Sequence, residues 1–128
     1  MIRATLSAVV LAMLACAPVA AKRAGPKPVA PVVIGHVRYE APPWAKAAGQ
    51  DQNGGVVVAR DVATGAELWA AKVYTIPYDA GLEGDVQDIF IVDLQPSSDG
   101  KSLRITDEDG RHWRLDLASH RATADPAP

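Results

Sequence analysis

A single cysteine, a single phenylalanine and three histidines are all that 128 residues contain of those types. Cys16 lies in an N-terminal apolar stretch, so no disulfide can form within a folded part downstream, and stability there must come from the core itself. His36, His112 and His120 have neither zinc-type spacing nor a cysteine partner, and no metal site is expected from them. His112 lies across its strand from Trp113 and reads as an exposed strand residue. There is no G-x-S-x-G context around Ser97, Ser98, Ser102 or Ser119, and no cysteine placed to act as a nucleophile. Paired carboxylates of the glycosidase kind need a cleft that a domain this small rarely offers. No catalytic residue is assigned, and the chain reads as non-enzymatic. Excess basic charge is also missing: 13 Lys and Arg face 15 Asp and Glu, interspersed, which excludes nucleic acid as a partner.

What is present begins with a leader. Met1, Ile2 and Arg3 give a short positive start, residues 4–15 form an apolar run too short to span a bilayer, and small residues follow. Two exits compete. Cleavage after Val19-Ala20-Ala21 releases a protein starting at Lys22, whereas Met13-Leu14-Ala15-Cys16 resembles the lipobox of bacterial lipoproteins and would make Cys16 the lipidated first residue. Removing residues 1–21 takes out Arg3 and no acidic residue, so 12 basic residues face 15 acidic ones, a net charge of −3. The expected location is therefore the periplasm or outside the cell, or the envelope through a lipid anchor at Cys16, with no other membrane contact.

Residues 22–31, rich in Ala and Pro without hydrophobic periodicity, read as an extended linker. One domain is expected over residues 32–120, with residues 121–128 as a disordered tail. Strands are expected over 32–39, 56–61, 67–76, 89–94, 102–106 and 112–117. Pro43 can open a single helical turn over 44–48 that Gly49 closes, and a further short turn is expected around 83–87. Residues 89–94 (IFIVDL) are apolar on both faces, which predicts a central strand covered on two sides, with a second copy of the chain as one cover. The expected fold is all-β: a small antiparallel meander of about six strands, closed as a half-open barrel or folded as a two-layer sheet.

Residues 56–69 read VVVARDVATGAELW. This stretch resembles the blade repeat of quinoprotein-like (PQQ-type) β-propellers, where a strand, an Asp, a Thr-Gly turn and a strand bearing Leu-Trp recur. Asp61, Gly65 and Trp69 carry the likeness, and Trp113 and Asp116 belong to a second echo, LRITDEDGRHWRLDLASHRA, in which His120 stands for the turn glycine. The resemblance implies blade-like hairpins, with Trp69 covering the end of a sheet. It does not imply a propeller, because closure takes at least about four blades of four strands. No residue matches the family's quinone contacts, and no cofactor is expected. Residues 35–117 also look like small exported bacterial proteins without an assigned activity.

Candidate binding residues fall in two loops. Trp44 lies in PPWAKAAG, and Tyr74 and Tyr78 flank the bend at Pro77. Aromatics of this kind make binding hot spots, although Trp44 could equally plug one end of the sheet. Asp79, Glu83, Asp85 and Asp88 form an acidic loop. Read as an EF-hand from Asp79, its third position is Gly81 and its twelfth Phe90, which fails as a calcium loop. The expected role is that of an exported or envelope-tethered binding protein acting through protein contacts. A module for small ligands or divalent cations, using the acidic loops, is the alternative.

Overall fold

The computed structural model describes residues 25–126; the leader over residues 1–21 and Cys16 lie outside them. Among the described residues eight strands form two four-stranded antiparallel sheets, which do not close into a barrel. The first sheet has the order β1 (Val32–Ile34), β2 (Val37–Glu40), β3 (Val56–Asp61), β4 (Glu67–Lys72). The second has the order β5 (Ile91–Pro96), β6 (Ser102–Asp107), β7 (His112–Asp116), β8 (Ala122–Ala124). Both are up-and-down meanders, so the all-β antiparallel expectation holds in its two-layer form.

Alternation along the strands explains the layers. Tyr39, Val57, Ala59 and Ala71 point from the first sheet into the same core that receives Ile91, Leu94, Leu103, Ile105 and Leu115 from the second. Leu103 pairs with Leu115 and Ile105 with Trp113, so the second sheet presents one apolar face. On the outer side of the first sheet, Val56 and Val58 form a smaller cluster that Ala45 covers.

The count of eight instead of six has local causes. Gly35, at φ 60°, splits the expected first strand into the β1–β2 hairpin. Residues 122–124, expected as tail, pair with β7 as β8. Asp116 governs that pairing: its Oδ1 accepts from the N–H of Ala118 at 3.0 Å and Ser119 at 2.7 Å, and its backbone carbonyl accepts from His120. Asp61 builds the same turn between β3 and β4, accepting on Oδ1 from the N–H of Ala63 and Thr64. Gly65 has φ 75° there, and His120 adopts φ 62° at the matching place. The substitution of His for Gly leaves the turn intact.

The apolar stretch 89–94 is not a central strand. β5 lies at the edge of its sheet, and its register slips between Ile91 and Asp93. The extra residue at this bulge, Val92, is exposed, while Ile91 and Leu94 both reach the core. A second slip, between Ala59 and Arg60 against Trp69 and Glu67, leaves Leu68 exposed in the same way.

The third expected strand stops at Lys72, four residues early. A side chain takes over the ladder: Gln52, only 2% exposed, donates from Nε2 to the carbonyls of Tyr74 (2.8 Å) and Gly54 (3.0 Å) and accepts from Ile76 N–H (3.0 Å). One primary amide thus satisfies the backbone that a neighbouring strand would otherwise serve, which lets Tyr74 and Ile76 both be buried.

Candidate functional site

The connection between second and third strands differs sharply between the sheets. In the second sheet it is the tight turn around Gly110, organised by Asp107. This carboxylate, 1% exposed, accepts from the N–H of Asp109 and Arg111 on Oδ1 and from Arg111 Nε and Trp113 Nε1 on Oδ2, all at 2.9–3.0 Å. In the first sheet the same connection runs over residues 41–55 and carries Trp44.

A 3₁₀ turn, Ala45–Ala48, closes on Gly49 at φ 94°, with Gly49 N–H donating to Lys46 O. Ala45 is fully buried on the first sheet's outer side, so Ala45 plugs the sheet and Trp44 is left facing solvent, 53% exposed. The indole is not loose: it meets the ring of Phe90 edge-on, centroids 5.6 Å apart at 79°. The turn is tied down by Lys46 N–H, which donates to Asn53 Oδ1.

Tyr78 and Asp88 meet beneath this turn. The Tyr78 hydroxyl donates to Asp88 Oδ1 at 2.5 Å and accepts from Asn53 N–H at 3.2 Å, while Asn53 Nδ2 lies 3.4 Å from Asp88 Oδ2. Burial, then the hydrogen bond to Asp88, pushes the Tyr78 phenol up to about 12. It therefore stays protonated near neutrality and serves as a donor, not as a base or nucleophile. Lys46 Nζ sits 4.9 Å over the Tyr78 ring and 4.0 Å from where a Cβ on Gly84 would lie, which links the Trp44 turn to the short helix α1 (Gly84–Gln87).

The acidic loop is ordered around Gln87. Its Nε2 donates to the carbonyls of Asp79, Leu82 and Glu83, and its Oε1 accepts from Asp79 N–H. Asp79 turns its carboxylate back onto Gly81 N–H at 2.9 Å, and Asp88 is buried against Tyr78. Glu83 and Asp85 are exposed, as are the apolar side chains of Leu82 and Val86 that flank them. Among the described residues no three His, Cys, Asp or Glu side chains gather in a way that could hold a metal ion.

Of the expected binding residues, Trp44, Tyr78 and Asp88 converge on one tied-down cluster, with Asp79, Glu83 and Asp85 on the adjoining loop. Tyr74 lies elsewhere in role: it is buried, its hydroxyl donates to Ile89 O at 2.6 Å, and its ring packs against Trp113 at 5.2 Å. Burial and the nearby carboxylates of Asp107 and Glu108 raise its phenol well above the usual tyrosine value. Gln52, Asn53 and Gln87, which hold the two loops, were not singled out by sequence. Two of them precede Gly54-Gly55, and an amide beside glycines that need φ of 82° and 68° is the signal that was available. No protein-family model matches the chain, and no curated protein matches it.

Proposed function

We propose that this chain is a non-enzymatic, exported or envelope-tethered binding protein that engages another protein through the Trp44 turn and the acidic loop. The observation that carries the reading is Trp44: a large indole held 53% exposed on a hydrogen-bonded turn whose neighbouring residue, Ala45, is fully buried. A Trp kept in place this way loses little freedom on binding, which is what makes such residues hot spots. Leu82 and Val86 add exposed apolar area on the loop that Lys46 links to the turn, and Asp79, Glu83 and Asp85 give it negative charge. The matching partner carries basic side chains around an apolar recess. Location follows the leader layout of residues 1–21.

We also take the two sheets as copies of one blade-type unit. Support comes from the Asp61 and Asp116 turns, built alike between third and fourth strands. On this reading, residues 41–55 are an insertion in one copy, and that insertion carries Trp44.

Mild cross-linking in the source envelope followed by capture through a C-terminal tag tests the function. The expected result is one stoichiometric protein with the native chain and its loss with Trp44→Ala at unchanged melting temperature. Equal capture by both chains would count against this surface.

A further inference from the structure

On the outer face of the second sheet, four side chains stand in one row across all four strands: Gln95, Arg104, Arg114 and Thr123. Arg104 and Arg114 are directly opposite each other on adjacent strands, an arrangement of like charges that costs stability unless a counter-charge completes it.

The first sheet shows how such a pair is completed. There Arg38 is opposite Arg60, again on second and third strands, and the Glu40 carboxylate bridges both guanidinium groups: Arg38 Nε to Oε1 at 2.7 Å and Arg60 Nε to Oε2 at 3.1 Å. Both are charge-assisted hydrogen bonds, made by partly exposed side chains. Glu40 stands two residues beyond Arg38 toward the β2–β3 connection. Two residues beyond Arg104, toward the β6–β7 turn, stands Thr106, whose hydroxyl is engaged with His112 Nδ1 at 3.0 Å.

The second pair is met by an acid at longer range. Asp125 Oδ2 is 3.9 Å from Arg104 Nε and 3.9 Å from Arg114 Nη2, beyond hydrogen-bond range for either. Its backbone is held by Asp125 N–H donating to His112 O at 2.9 Å. A recess of about 470 Å³ lies over the pair, lined also by Ser97, Ser102 and the acids Asp99 and Asp125. The nearby Asp99 carboxylate is turned to its own hairpin, accepting from Ser97 Oγ and Lys101 N–H.

We infer that Arg104 and Arg114 form a binding site for an oxyanion, a carboxylate or phosphate group of a ligand that takes the bridging role Glu40 plays in the first sheet. Two planar guanidinium forks side by side suit a two-oxygen acceptor; Thr123 adds a hydroxyl at one end of the row, while at the other the Gln95 amide donates to Asp93 Oδ1 at 3.1 Å. Asp125 acts as a weak resident competitor.

The test is a titration of the full chain with citrate and, separately, inorganic phosphate at constant ionic strength set with chloride, following the Nε–H resonances of both arginines. Saturable shifts at Arg104 and Arg114 are expected, and the tighter of the two anions identifies the ligand group. Arg114→Gln should weaken binding by about tenfold or more, and Asp125→Asn should tighten it. Thr106→Glu, which supplies the bridging carboxylate in cis, should abolish binding while leaving the fold intact. Shifts that stay linear to about 50 mM anion, or that persist unchanged in Thr106→Glu and Arg114→Gln, would overturn the site.

Discussion

The imidazole of His120 lies flat against the indole of Trp69, ring centroids 3.9 Å apart and planes within 14°. This contact joins the fourth strand of one sheet to the third turn of the other, and His120 makes it from a left-handed backbone with φ 62°. A side chain in that region costs roughly 1 kcal/mol, and a good ring stack contributes about 0.5–1.5 kcal/mol, so the two offset.

That balance gives an ordering. His120→Gly relieves the backbone and loses the stack, leaving stability within about 0.5 kcal/mol of native. His120→Ala keeps the strain without the stack and should cost about 0.5–1.5 kcal/mol. Urea unfolding of the three chains checks it: Ala equal to Gly would remove the backbone strain from the account, and Ala equal to native would remove the stack.

Gln52 is expected to be among the costliest polar residues to replace. In Gln52→Leu the Tyr74 and Gly54 carbonyls and the Ile76 N–H lose their partner, for about 3 kcal/mol in total. Gly55→Ala should cost a similar amount, about 3 kcal/mol, because its φ is positive and the new Cβ would lie 2.7 Å from both Gln52 Nε2 and the Tyr74 ring. Chemical denaturation measures both.

Asp107→Ala strands the Trp113 indole N–H, two backbone N–H groups and the Arg111 guanidinium at once. A loss of about 3 kcal/mol is expected, with a shift in Trp fluorescence as the Trp113 N–H loses its acceptor.

Alkaline stability follows from Tyr78. Its phenol titrates near 12 in the folded chain and near 10 when unfolded, so its contribution is complete below pH about 10 and is lost as pH rises toward about 12. Melting temperatures between about pH 9 and about pH 12 should fall less steeply in Tyr78→Phe. Tyr74, raised in the same direction, keeps part of the slope in that variant.

The hairpins were legible because short-range chemistry decides them: Asp61 with Gly65, and Asp107 with Gly110, act within five residues. β8 was not legible, since Ala122-Thr123-Ala124 has no apolar pattern and is a strand only because the Asp116 turn delivers it to β7. The bulge at Val92 hid the edge position of β5: in sequence an extra residue turns one apolar face into what looks like two. Gln52 replaces a strand with a side chain, which no period of two can reveal. At the candidate surface, Trp44, Tyr78 and Asp88 could be named from residue type, but which of Trp44 and Ala45 is buried depends on how the turn sits on Val56 and Val58.

The most direct test of the binding surface is photo-crosslinking in the native envelope from two exposed apolar positions, Leu82→p-benzoylphenylalanine on the acidic loop and Val33→p-benzoylphenylalanine on the first sheet's outer face. The account predicts one discrete higher-mass adduct from position 82 and none from position 33. Equal adducts from both positions, or an adduct from position 33 alone, would contradict it.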